Sequence, residues 1–276
     1  MASKPDFIIV PGAWHSPEAF KPTSDLLEKA GYTLHGVPLA SFGASPPLQN
    51  FDPDVQVIHD AVNKVLSSGK DVVIVYHSYG SVPGSEALAE YMKDLATGNK
   101  KDGWGKIQRL VFCCSFVLPE GGSLMAALQF KDLPWFIVNV CPPQPPQPPF
   151  RQSIFTDKLG NQGDEVLPDT PEKIFYSDLS ASAAAPYIAA LKPHSYKTFS
   201  SQQSVAPWKV IPSTYIVCEN DQAIPLPAQE GMLGMAHQMA PTSFDVIERC
   251  SASHSPFISQ PEWLSEKLIK AAGGGG

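Results

Sequence analysis

Asp71-Val-Val-Ile-Val-Tyr-His-Ser78-Tyr-Gly80-Ser-Val-Pro-Gly-Ser-Glu-Ala-Leu-Ala-Glu90 is the stretch on which the reading of this chain turns. Val72 to Tyr76 are five β-favouring residues, and the run from Glu86 to Glu90 is built of helix formers. The pattern predicts a strand, a tight turn and a helix. Ser78 then stands at the carboxyl end of a parallel strand and the amino end of a helix, where free N–H groups and the helix dipole favour developing negative charge. Gly80, two residues on, lets the helix pass close to the neighbouring strand, because a side chain there would collide with it. The spacing is that of a nucleophile elbow, Gly-x-Ser-x-Gly, with Tyr76 in place of the first glycine.

Working outward, Phe7 to Val10 predicts a buried strand ending at Pro11-Gly12-Ala13-Trp14-His15, where glycine is expected to permit an unusual backbone and to aim an N–H at the space in front of Ser78. A helix is expected over Glu18 to Ala30, a strand over Tyr32 to Leu39, and a helix over Asp54 to Ser67. Strand Ile107 to Cys114 follows a polar loop. The alternation is that of a doubly wound α/β sheet of about six mainly parallel strands flanked by helices.

From Pro119 the rhythm breaks. The segment holds an apolar run at Trp135 to Val138, a proline-dense tract at 142–149 expected to be an extended surface loop, and short helices near 171–177 and 181–191. It is read as an inserted lid, giving a core of 1–118, a lid of 119–206 and a second core part of 207–276. The lid carries Trp135, Phe136, Ile137, Phe150, Phe155, Phe175, Tyr176 and Tyr187, too many large apolar groups for a loop that meets only water. Trp135, with Trp14 from the loop after the first strand, is expected to line a substrate pocket. Strands at Ser213 to Cys218 and Phe244 to Ile247, helices at Pro227 to Met239 and Pro261 to Ala272, and a frayed tail from Gly273 complete the reading.

Three residues suited to nucleophilic catalysis follow predicted strands in the order Ser78, Asp221, His254. A serine hydroxyl needs a base to take its proton, a histidine suits that near neutral pH, and a carboxylate behind the ring fixes its tautomer. Glu219 is the rival acid. Asp221 is preferred because it lies two residues further beyond the strand, where Glu219 is expected to point away.

Bulk properties narrow the function. A net charge of −7 and a pI near 5.5 offer no basic surface for nucleic acid. The N-terminus lacks the apolar run of a signal peptide and no stretch reaches membrane-spanning length, so a cytoplasmic protein is expected. Five cysteines, two of them adjacent at 113 and 114, fit reduced buried thiols better than a disulfide framework. No metal-ligand spacing is present, and neither a metal nor another cofactor is expected. The expected partner is a small apolar substrate, with no nucleic acid and no membrane; a homodimer is left open.

The chain resembles the α/β-hydrolase superfamily, and within it the compact group of plant methylesterases, hydroxynitrile lyases and fungal and bacterial esterase-like proteins. The resemblance rests on Ile-Val-Pro11-Gly12-Ala13-Trp14-His15, on His77-Ser78, on Tyr215-Ile-Val-Cys218 with the following Asp221-x-x-Ile-Pro, and on His254. Pro11 and Tyr76 depart from the pattern; Tyr76 must be housed under the elbow by local repacking. The resemblance implies an oxyanion hole from the N–H groups of Ala13 and Tyr79, and a serine hydrolase of the carboxylesterase or lactonase type acting through an acyl-enzyme. Carbon–carbon cleavage, elimination or isomerisation in the same pocket is the alternative, and a catalytically silent receptor a third. Hydroxynitrile lyase is disfavoured, because those plant enzymes carry threonine where Gly12 stands and lysine where Ser255 stands.

Overall fold

A computed structural model describes residues 4–138 and 164–274. The proline-dense tract 142–149, Phe150 and Phe155 lie outside the described residues. Strand β1 (Asp6–Val10) is followed by α1 (Lys21–Lys29), β2 (Leu34–Gly36), α2 (Asp52–Ser67), β3 (Val72–His77), α3 (Ser81–Glu86), α4 (Ala89–Thr97) and β4 (Ile107–Cys113). The helix expected after Gly80 is two helices. Ala87 and Leu88 interrupt it, and the Leu88 N–H turns back to the Ser85 carbonyl.

After β4 come α5 (Leu124–Ala127), β5 (Phe136–Val138), β6 (Glu165–Pro168), α6 (Pro171–Ile174), α7 (Ala181–Ala190) and β7 (His194–Ser195). Where the sequence shows no clear alternation of strand and helix, β5, β6 and β7 form a small antiparallel sheet. Its strands are two to four residues long, too short for periodicity to register. The chain closes with β8 (Ser213–Cys218), α8 (Leu226–Met239), β9 (Val246–Cys250), α9 (Pro256–Ser259) and α10 (Pro261–Ala271). Strand β9 starts two residues later than expected, because Phe244 takes φ 51° and turns its ring onto Phe112, Tyr215 and Trp208. The glycines expected to fray begin by capping α10, with Gly273 at φ 74° and the Gly274 N–H on the Ile269 carbonyl.

The main sheet is six-stranded and parallel, in the order β2-β1-β3-β4-β8-β9. Alternate residues of the central strands serve opposite faces. Ile8, Val10, Ile74 and Tyr76 enter one core, and Phe7, Ile9, Val73 and Val75 the other. Burial on both faces is why these strands read as unbroken apolar runs. The order reverses between β1 and β3, so the connections leaving them diverge and open a crevice at their carboxyl ends. Gly12 and Ser78 sit at that point. Among the described residues no helix is long and apolar enough to cross a membrane.

Candidate active site

Ser78 is held at φ 51°, a left-handed conformation that costs a non-glycine residue about 1–3 kcal/mol and persists only where its surroundings impose it. Donors converge on its carbonyl: Ser115 Oγ at 2.6 Å, Ser81 Oγ at 3.1 Å, the Phe116 N–H at 3.4 Å and the Ser81 N–H. A Cβ on Gly80 would stand 2.4 Å from the Pro11 carbonyl oxygen, so the close approach read from the sequence is real. Tyr76 is accommodated by Gly84, where a Cβ would lie 2.3 Å from the tyrosine ring, and its hydroxyl donates to the Gly84 carbonyl at 3.0 Å.

The reason for Gly12 differs from the one expected. Its backbone is not left-handed; Trp14 is, at φ 65°. What Gly12 supplies is proximity, since a Cβ there would be 2.7 Å from Ser78 Cβ and 3.0 Å from His77 Nδ1. Among the described residues no acceptor pairs with the Ala13 N–H. Tyr79 lies in the first turn after β3, where main-chain N–H groups lack intrahelical acceptors.

His254 follows β9, and its Nδ1 lies 2.7 Å from Asp221 Oδ2, both side chains buried. The other carboxylate oxygen, Oδ1, accepts the N–H groups of Ala223 and Ile224 at 2.7 and 2.9 Å, which locks the carboxylate plane. His254 Nδ1 is therefore the protonated nitrogen, leaving Nε2 as the acceptor. Glu219 faces solvent beside Arg249 at 3.4 Å, away from the ring. Ser78 and His254 border one cavity; among the described residues no hydrogen bond joins Ser78 Oγ to the imidazole in this conformation.

Two further histidines frame the site. His77 accepts the Gly12 N–H at Nδ1 (3.2 Å) and donates from Nε2 to the His254 carbonyl (3.0 Å). Burial, reinforced by its histidine neighbours, holds its pKa well below the ordinary value, so the ring stays neutral. His15 donates from Nδ1 to the Ala13 carbonyl and receives the Tyr176 hydroxyl at Nε2, each at 2.8 Å; burial lowers its pKa to about 4. Both stand in stretches singled out from the sequence, yet neither was given a role there. Ser115 and Asp178 were missed outright: Asp178 accepts the Ser253 N–H at 2.9 Å and the Ser253 hydroxyl, securing the residue before His254.

His77, Cys114 and His254 bring potential ligand atoms within 4.8 Å of one another. Both His77 Nε2 and Cys114 Sγ are directed at the His254 carbonyl, and His254 Nδ1 is committed to Asp221, which accounts for the grouping. Cys113, Cys114, Cys218 and Cys250 are buried free thiols.

The cavity over Ser78 is about 20 Å³ and is bounded by Ala13 and Tyr79 on the sheet side. Opposite stand Trp14, Trp135, Phe136, Phe175 and Phe199. The Trp14 ring lies 5.5–5.9 Å from those four rings, and its Nε1–H donates to the Val166 carbonyl in β6 at 2.8 Å. Trp14 and Trp135 both border this cavity. Ile137, by contrast, is exposed, its side of β5 turned to solvent.

The sequence profile of the alpha/beta hydrolase family matches residues 7–267. A curated relative, the alpha/beta hydrolase nvfD of Aspergillus novofumigatus (strain IBT 16806), is 32% identical over 272 residues, covering 98% of this chain and 97% of that protein. Methylesterase 1 of Arabidopsis thaliana is 24% identical over 283 residues, covering 98% and 96%. Among solved structures, the methylesterase MES16 from Arabidopsis superposes with a TM-score of 0.72 at 18% identity, covering 98% of this chain and 99% of that one.

Proposed function

The chain belongs to the alpha/beta hydrolase family, and from that premise we propose that it is a serine hydrolase cleaving an ester or lactone of a small apolar molecule. The observation that carries this reading is the buried His254–Asp221 pair at 2.7 Å, facing a cavity that also holds a serine at φ 51°. A methylesterase among the relatives and an aromatic wall over Ser78 support an apolar ester as substrate.

In this mechanism His254 Nε2 takes the Ser78 hydroxyl proton as Oγ bonds to the carbonyl carbon, and the carbonyl π electrons move onto oxygen. The Ala13 and Tyr79 N–H groups receive that oxyanion. Asp221 stabilises the imidazolium without taking its proton. The intermediate collapses, the carbon–oxygen bond to the alcohol breaks, and His254 protonates the leaving alkoxide. Water, deprotonated by the same ring, then releases the acid and regenerates Ser78. Aromatic walls keep bulk water out, which strengthens the oxyanion contacts. The lid assignment of residues 119–206 belongs to this proposal: Trp135, Phe136, Phe175 and Phe199, all from that segment, close the cavity.

A fluorophosphonate should label the protein once, with peptide mapping at Ser78, and a panel of aryl esters and lactones should be turned over by the parent protein and not by Ser78→Ala. Turnover retained in Ser78→Ala would replace this mechanism with acid–base chemistry by His254 alone.

A further inference from the structure

Helix α8 carries two interior glycines, Gly231 and Gly234, although glycine weakens a helix relative to alanine. A Cβ added at either would meet nothing within 4 Å among the described residues, so close packing there explains neither. Gly231 has a different neighbour. With Ala228, Met232 and Met235 it forms one helical stripe, at spacings of three, four and seven residues, that borders a groove of about 500 Å³. The far bank is Leu118, Pro119, Ala127, Leu128 and Leu133, and every described residue lining the groove is apolar or glycine. On its wall the Val117 N–H is satisfied by Met232 Sδ at 3.3 Å.

This groove adjoins the reaction cavity. Phe116, Leu128, Leu133, Ala223 and Ile224 line both spaces, so one layer of side chains separates them. The cavity itself, at about 20 Å³, has room for about one water. It can seat a carbonyl group and the atoms beside it but not a long chain. Among the described residues no side chain of the groove offers a polar ligand a partner, and its methionines adapt to a flexible hydrocarbon.

We propose that the groove along α8 receives a linear alkyl chain of the substrate, which passes between Leu128, Leu133 and Ile224 while its ester carbonyl lies at Ser78. This deepens the serine-hydrolase reading and rests on it. Gly231 then keeps the groove open. Nothing in the structure explains Gly234, which makes it the matched control.

The test uses Gly231→Phe and Gly234→Phe, both free of clash at Cβ and both replacing a poor helix former. Two substrate series separate the two places the chain can attach: p-nitrophenyl acetate against octanoate for the acyl side, methyl acetate against octyl acetate for the alcohol side. In one series the long-to-short ratio of kcat/KM should fall about tenfold or more in Gly231→Phe and stay within about twofold of the parent in Gly234→Phe. An unchanged ratio in Gly231→Phe, or an equal fall in Gly234→Phe, overturns the groove. Thermal stabilisation by n-decanol reads the groove without catalysis, and should be present in the parent and Gly234→Phe and absent in Gly231→Phe. That pattern in a protein turning over no ester would uphold the alkyl site and count against the Ser78 reading.

Discussion

His77 donates a hydrogen bond to the main-chain carbonyl of His254 at 3.0 Å. Its other ring nitrogen receives the Gly12 N–H at 3.2 Å, so a single neutral imidazole ties the loop after β1 to the loop after β9. The tautomer is dictated by its partners, since a carbonyl can only accept and an N–H can only donate. The last residue of β3 thereby sets the distance between the proposed oxyanion donors and the proposed base, with Ser78 next to it in the chain.

Removing that ring should therefore act on turnover more than on binding. His77→Ala orphans both the Gly12 N–H and the His254 carbonyl, and a misplacement of about 1 Å at a reacting group costs about 10²-fold in rate. We expect kcat to fall by about that factor with KM little changed. His77→Gln, which can still donate and accept, should recover part of it. Steady-state kinetics on one ester decide the matter; a loss confined to KM would remove the positioning role.

The identity of the acid gives a sharper contrast. Asp221 holds two main-chain N–H groups as well as His254, whereas the Glu219 carboxylate meets Arg249 at the surface. Asp221→Asn should lose about four orders of magnitude in kcat. Glu219→Gln should be indistinguishable from the parent, and the reverse pattern would reassign the acid.

Much of this was legible because local chemistry and global topology agree. The five apolar residues before His77 belong to a strand buried on both faces, and Ser78, Asp221 and His254 each lie in the connection that follows a parallel strand. What stayed hidden depends on contacts between distant parts of the chain. Nothing local marks Ser115 as a donor to the Ser78 carbonyl, or Asp178 as the anchor of Ser253, 75 residues away. Gly12 was read as permitting an unusual backbone, because sequence shows that a side chain is absent but not what would occupy its place.

Acid should destabilise the fold over a defined window. Burial holds His15 near pKa 4, His194 near 3 and His77 well below its ordinary value, so each takes up a proton on unfolding once the pH drops below 6.5. Stability from these rings is complete above about 6.5 and is lost as the pH falls, down to about 4 for His15 and about 3 for His194. Asp54 opposes them: burial raises its carboxyl to about 6 from 3.8, so its contribution is present at low pH and lost as the pH rises through 6. Three protons gained against one lost leaves about two, or on the order of 2–3 kcal/mol per pH unit near pH 5. Urea midpoints should fall steeply between about pH 7 and about pH 5. In His194→Phe the dependence should shrink by about 1.4 kcal/mol per pH unit, and an unchanged slope would show that His194 titrates normally.

Trp14 and Trp135 border the same cavity but should fail differently. Trp14 is bonded in sequence to Ala13, takes φ 65°, and reaches across to donate to Val166 in β6. Through it the proposed oxyanion donor is fixed relative to the small sheet. Trp14→Phe keeps a ring among Trp135, Phe136, Phe175 and Phe199 but drops the Nε1 hydrogen bond, a net loss of about 1 kcal/mol in stability. Its effect on rate should be the same for every ester, because the oxyanion is common to all; complete loss of such a donor costs about 10²–10³-fold, and a displaced one less. Trp135 has no such tie to the reacting atoms and contributes apolar wall. Trp135→Ala should leave acetate esters nearly as good as before and weaken larger ones progressively, by about 0.8 kcal/mol for each methylene that loses its contact. Profiles of kcat/KM against acyl size separate the two: a parallel downward shift is expected for Trp14→Phe and a change of slope for Trp135→Ala. If Trp14→Phe changes the slope instead, the ring serves the substrate directly and the coupling of Ala13 to β6 is not what sets the rate.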